Sequence, residues 1–221
     1  MQKEKGLFIT FEGADGVGKT TQSKQLFSYL EKEGYATLAT REPGGTVTGE
    51  KIREILLDPE CEMGKRTEAL LYLAVRAEHV DKIVKPALTA GKIVVSDRFS
   101  DSTFVYQGIA RGIAREAISP LNAFAADGLL PGTTFLLDAP VELMQQRMNE
   151  RSEVDRIEKE GIIFQKRVRE GFLQLAEKYP QRIVVIDALL SVEDIQAIIL
   201  KHIDKQIKEK NIKKLIPVKG E

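Results

Sequence analysis

Gly13, Gly18, Lys19 and Thr20 occupy the fixed positions of the pattern G-x-x-x-x-G-K-[ST], within the run LFITFEGADGVGKTT at residues 7–21. The spacing has a chemical reason. Glycines let the backbone curl until successive N–H groups point inward at phosphate oxygens. A helix opening near Lys19 adds its positive dipole end at the same place. Lys19 is then set to reach the β- and γ-phosphates, and the Thr20 hydroxyl to ligate Mg2+. The stretch Gly13, Ala14, Asp15, Gly16, Val17, Gly18, Lys19, Thr20, Thr21 is therefore expected to cradle a nucleoside triphosphate. A glycine-rich turn ahead of an ordinary helix is the competing explanation. An apolar strand in front of the loop and a helix behind it argue against that.

Other residues offer a second anion site. The run Thr40-Arg41-Glu42-Pro43-Gly44-Gly45-Thr46 forces an irregular turn at the end of an apolar strand, where open α/β sheets meet their ligands. Arg41 is placed there to grip an anion, although a surface arginine before a turn looks the same. The run Val94-Val95-Ser96-Asp97-Arg98 ends a strand in a carboxylate, the pattern that holds Mg2+ directly or through water. Asp138, after Phe135-Leu136-Leu137, has the same local look. Asp97 is favoured because Arg98 and the aromatic, amide-bearing stretch FSDSTFVYQG follow it, composing a site for a small planar ligand. Ser100 or Asp101 is expected to cap the helix that starts there.

Tyr72 and Arg76 are spaced i, i+4 and share one helix face. A ring for stacking beside a guanidinium donor suits a nucleobase, and a core tyrosine beside a surface arginine would give the same spacing. Arg147 and Arg151 also share a face, in a charged segment that could close over ATP and deliver arginines to the transferring phosphoryl group. A solvated helix end is the equal alternative.

These residues need a frame. Apolar runs at Leu7–Phe11, Ala36–Thr40, Ile93–Ser96, Thr133–Leu137 and Ile183–Ile186 read as strands buried on both faces of a parallel sheet. Helical stretches separate them, as in βαβ units. Residues 19–33 form one helix ending at Gly34; residues 66–91 form a long one, kinked at Pro86. Apolar stripes at Phe164, Val168, Phe172, Leu175 and at Ile195, Ile199, Ile203, Ile207 mark two more. Lys+Arg and Asp+Glu are both 33 of 221 residues, so overall charge gives no reason to expect nucleic acid or a membrane surface as partner. One cysteine, Cys61, allows no intrachain disulfide, and the two histidines lie far apart, which disfavours zinc. The leading apolar run of five residues is shorter than a signal-peptide core or membrane span. A cytoplasmic protein of one domain, residues 1–221, is expected, with a basic, frayed tail over about 208–221.

Taken together, FEGADGVGKTT, TREPGGT, LLYLAVRAEHV, VSDRFSDSTFVYQG and the lid stretch DRIE resemble the thymidylate kinase family over nearly the whole chain. The resemblance implies a three-layer α/β fold of the P-loop NTPase type, with a five-stranded parallel sheet and a short lid over about 147–160, as in nucleoside-monophosphate kinases. It implies ATP and dTMP as substrates, Mg2+ as cofactor and a homodimer. Asp15 would reach the sugar 3′-OH region and the metal, and Thr20 and Asp97 would serve the metal. Arg41 and Arg98 would hold the dTMP phosphate, Tyr72 would stack on thymine, and Arg76 would bond a base carbonyl. Ser102, Tyr106 and Gln107 would line base and sugar, and Pro43 would follow a cis peptide bond. Some relatives carry a basic residue where this chain has Gly16; here the lid's Arg151 would supply that charge, with Arg147 assisting. Lys19, Arg98, Arg151 and Asp15 would then be the catalytic set. Another nucleoside-monophosphate or deoxynucleoside kinase is the nearest alternative. A non-catalytic P-loop regulator is more distant, since the guanine-reading N-K-x-D motif of switch GTPases is missing.

Overall fold

A computed structural model describes residues 6–149, 155–157 and 159–215. Five strands, β1 (Leu7–Glu12), β2 (Thr37–Arg41), β3 (Ile93–Asp97), β4 (Thr133–Asp138) and β5 (Ile183–Asp187), lie in the order β2-β3-β1-β4-β5, every neighbouring pair parallel. Each expected strand is present, extended by one residue at its carboxyl end, and β2 starts at Thr37. Alternation divides the apolar side chains between two cores. Leu7, Ile9, Phe11, Ile93 and Val95 join Leu26, Ile199 and Ile203 in the larger one. Phe8 and Val94 point the other way, onto Val80, Val84, Leu88 and Phe99.

The helices among the described residues are α1 (Lys19–Lys32), α2 (Val47–Leu57), α3 (Lys65–His79), α4 (Lys85–Thr89), α5 (Ser100–Thr103), α6 (Arg115–Ala125), α7 (Val141–Asn149), α8 (Ile162–Lys178) and α9 (Val192–Glu209). Val80–Val84 is a π stretch joining α3 to α4, and Phe104–Ala110 another continuing α5. The long helix expected over 66–91 is thus three segments. Its irregularity lies N-terminal to Pro86, because the proline ring crowds the carbonyl four residues earlier and has no N–H to give.

Two local expectations are corrected. The helix after β3 is not capped by Ser100 or Asp101. Its N-cap is Phe99, and the Glu12 carboxylate at the end of β1 accepts from the N–H groups of Phe99 (2.8 Å) and Ser102 (3.3 Å). The chain is not frayed from Lys208, since α9 continues to Glu209 and Leu215 N–H donates to the Gly34 carbonyl at 2.8 Å. In α2, which was not expected, the Thr46 side chain caps the helix by accepting from Gly49 N–H at 2.9 Å.

Candidate active site

The carboxyl ends of β1, β2 and β3 open onto a cavity of about 430 Å³. Register explains the gathering: Arg41 pairs with Asp97, and Asp97 with Phe11, so three strand ends finish level with one another. The loop after β1 then turns across them. Gly13 has φ 135°, and a Cβ there would stand 2.4 Å from the Leu137 carbonyl oxygen; Gly16 has φ 82°. Both positions demand glycine on backbone grounds. Gly16, Gly18, Lys19, Thr20 and Thr21 border the cavity. Lys19 Nζ donates to the Ala14 carbonyl at 2.7 Å and lies 3.9 Å from Asp15. Burial, with Arg98 close by, lowers the Lys19 pKa to about 8.

Thr20 and Asp97, from α1 and β3, meet: the hydroxyl donates to the carboxylate at 2.5 Å. The rival carboxylate, Asp138, is instead occupied by Arg169 Nε (2.7 Å) and Nη2 (2.8 Å). Hard oxygen donors side by side at a phosphate loop suit Mg2+, and Thr20 and Asp97 are the residues that would hold it.

Arg98 ties the loop to the helix after β3. Its backbone has φ 71°, in the left-handed region that non-glycine residues seldom adopt and that is enriched at functional sites. Its guanidinium donates to the Gly13 carbonyl (3.0 Å), Ser102 Oγ (2.9 Å), Tyr106 Oη (3.2 Å) and Asp15 Oδ1. Tyr106 Oη in turn donates to Asp15 Oδ2 at 2.9 Å. Burial alone would raise the Asp15 pKa, but Arg98 and then Lys19 hold it down at about 2. Glu12 lies just behind, also taking the Ser102 hydroxyl at 2.6 Å. Burial, and then Asp101, push its pKa up to about 7 despite Arg98.

Around the expected base site, Tyr72, Arg76, Ser102 and Gln107 all border the same cavity. Arg76 is 1% exposed and makes four hydrogen bonds, from Nε to Glu42 Oε2 (2.9 Å), from Nη1 to Thr103 and Asn122, and from Nη2 to the Phe99 carbonyl, with Nη2 also 2.7 Å from Glu42 Oε2 in an ion pair. A base carbonyl would therefore meet a guanidinium already held by other groups, which sequence spacing could not reveal. Glu42 also meets buried His79 at 2.9 Å, and His79 reaches Thr40 Oγ1 at 2.6 Å. The Glu42–Pro43 bond is cis. Arg41, by contrast, is held by Glu50 at 2.9 Å and is otherwise open to solvent.

Several residues of the site were missed by sequence reading. Arg53 of α2 borders the cavity and donates to the Pro43 carbonyl at 2.7 Å. Glu12 had the signal used for Asp97, an acid closing an apolar strand. Glu68 stands four residues before Tyr72 on the same face of α3 and binds Gln107, Arg111 and Arg156. Arg151 lies outside the described residues, and of Arg147 only its place in α7 is described. The end of the expected lid is anchored: Arg156 donates to the Leu56 carbonyl at 2.9 Å and to Glu68 at 2.7 Å, and Ile157 is buried in the larger core.

Comparisons with known proteins agree on one family. The family model described as thymidylate kinase matches residues 11–199. A protein named thymidylate kinase from Sulfurihydrogenibium sp. is 50% identical over 202 residues, covering 91% of this chain and 98% of its own. One of the same name from Caldanaerobacter subterraneus subsp. tengcongensis is 45% identical over 205 residues, covering 92% and 98%. The crystal structure of thymidylate kinase from Ehrlichia chaffeensis superposes with a TM-score of 0.72 at 35% identity, over 90% of this chain and 98% of that one.

Proposed function

Since the chain belongs to the thymidylate kinase family and is an ATP-dependent dTMP kinase, we propose how its own residues divide that work. The observation that carries the division is that one cavity is bordered both by the phosphate loop with Lys19 and by two further arginines, Arg41 and Arg98, of which Arg98 braces the loop at Gly13 and Asp15. ATP would lie on Gly13–Thr21, and dTMP between Arg41, Arg98, Tyr72 and Gln107, with Arg53 a further cation beside its phosphate.

The acceptor phosphate is already largely dianionic near pH 7, as its second pKa is about 6, so no general base is needed. Its oxygen attacks the γ-phosphorus, the bond to the bridging oxygen breaks, and ADP and dTDP result. Catalysis reduces to aligning two anions and neutralising charge as it spreads. Lys19 and Thr20 act on the donor side, Arg98 and Arg41 on the acceptor side. Asp15, held ionised, orients Arg98 and Tyr106 and faces the acceptor sugar. Thr20 and Asp97 would hold Mg2+, which when bound neutralises phosphate charge and polarises the γ-phosphoryl group. Arg151, aided by Arg147, is the lid's contribution in this reading, because Gly16 offers the loop no side-chain cation.

The rest of the assignment follows the same family reading. We treat residues 1–221 as one kinase domain, supported by a core that runs from β1 to α9. A homodimer is supported by the exposed apolar side chains Leu70, Leu121 and Phe124 on the adjoining helices α3 and α6. A cytoplasmic setting fits a single free cysteine, and among the described residues no helix is long and apolar enough to cross a membrane. Incubation with ATP, Mg2+ and dTMP should yield dTDP, with AMP, CMP and GMP near background. Arg151→Ala should lower turnover at least about a hundredfold with dTMP affinity little changed, discounting the usual range for an arginine finger because Arg147 can partly substitute. Turnover within a few-fold of wild type would remove Arg151 from the mechanism.

A further inference from the structure

Gln107 lies on the π stretch after α5, is 2% exposed, and borders the cavity beside Tyr72 and Arg76. Its Nε2 donates to Glu68 Oε1 at 2.9 Å. Glu68 is 1% exposed and accepts three arginine bonds besides: Arg111 Nε on Oε1 (3.1 Å), Arg111 Nη2 on Oε2 (3.1 Å) and Arg156 Nη1 on Oε2 (2.7 Å). Each carboxylate oxygen therefore faces two donors. Burial alone would raise the Glu68 pKa, but the bonds from Gln107 and Arg111 hold it below the ordinary value. An ionised carboxylate only accepts, so the end of the Gln107 amide that meets it must be the nitrogen. The carbonyl oxygen is the end left for the cavity.

Base chemistry gives that orientation a meaning. Thymine and uracil carry a hydrogen on N3, a donor. Cytosine has a bare N3 at the same position, an acceptor. A buried carbonyl pairs with the first and repels the second.

We infer that Glu68 is a positioning residue for base selection: it holds the Gln107 amide with Oε1 toward the nucleobase, so that bases with an N3–H are accepted and bases with a bare N3 refused. The inference rests on the dTMP reading above and adds to it the group that enforces the choice without touching substrate. It also joins base reading to the lid, because the oxygen that receives Arg156 belongs to the same carboxylate.

The test exploits the asymmetry of an amide. In Glu68→Gln, one end of the new side chain accepts and the other donates. Arg156 and Arg111 Nη2, donors only, take its oxygen. Its NH2 group then faces Gln107, whose amide must reverse and turn Nε2 toward the base; the Arg111 Nε bond is lost. With wild-type and variant enzyme, kcat/KM is measured for dTMP, dUMP and dCMP at saturating Mg2+-ATP. The dCMP/dTMP ratio is expected to rise at least about tenfold, a modest part of what one mispaired buried group commands. dUMP and dTMP should fall together, and the KM for ATP should hold.

In a Gln107→Leu background the same substitution at 68 should leave the ratio where Gln107→Leu alone put it. Equal losses for all three acceptors would mean that Glu68 merely braces Arg111 and Arg156, and the inference falls. It falls too if Gln107→Leu leaves the wild-type ratio untouched. Should Glu68→Gln fail to fold, Glu68→Ala frees the amide without reversing it, and dTMP preference should narrow several-fold; an unchanged preference overturns the assignment. A wild type indifferent between dTMP and dCMP would instead refute the dTMP reading itself, and that is seen before any substitution is made.

Discussion

Arg98 and Arg41 are assigned to the same phosphate, yet the protein holds them in opposite ways. Arg98 has a side chain 15% exposed, four hydrogen-bond partners and a backbone in the left-handed region. Arg41 is 54% exposed and leans on Glu50, itself 42% exposed. The difference follows from solvation. A buried cation must be paired and hydrogen-bonded to exist, and in being so it is fixed before substrate arrives. An exposed ion pair contributes little and can part at little cost. Arg98 is thus a preorganised floor, and Arg41 a hand that can leave Glu50 for a phosphate.

Substitutions can break this contrast or sharpen it. The largest effect is expected from Arg98→Ala, which leaves Asp15, 22% exposed, without its main counter-charge. Activity, as kcat/KM for dTMP, should fall about a thousandfold or more, and denaturant unfolding should show a loss of about 1–3 kcal/mol. Arg41→Ala should raise the KM for dTMP roughly tenfold, the scale of one exposed charge-assisted contact. Its stability should stay within about 0.5 kcal/mol of wild type. Equal stability losses in the two variants would erase the distinction between floor and hand.

The remaining effect is at Glu12, and it depends on pH. Its folded pKa is raised to about 7 from 4.5, so the folded state binds the proton more tightly than the unfolded chain. Its stabilising contribution is therefore full below pH 4.5 and is lost as pH rises to about 7. Glu12→Gln, which cannot ionise, should gain in melting temperature relative to wild type across that window and hold level above it. A constant difference from pH 4.5 to 7 would contradict the raised pKa.

Much of the frame was legible because its signals are local. Five apolar runs became five strands, and the glycine pattern became the loop, since both are dictated by neighbours in sequence. Asp97 could be preferred over Asp138 from what followed it, and the structure ties Thr20 to the first and Arg169 to the second. What was not legible depends on distant partners. Glu12 caps a helix whose first N–H group belongs to Phe99, 87 residues later. Arg76 looked like a free donor at its spacing from Tyr72, but Glu42, Thr103 and Asn122 converge on it from other elements. Glu68 sat on the right face of α3 and was passed over, because a carboxylate reveals its role only through the donors that surround it.

Glu12 and Gly13 are consecutive residues, and that adjacency reaches further than capping. One carries the amide-held start of the acceptor helix, the other begins the donor loop. Both hang from the end of a single central strand that is hydrogen-bonded on either side. With the nucleotides bound as proposed, a displacement of that strand would carry donor and acceptor together, so that the stiffness of a β-sheet would help to keep the in-line distance.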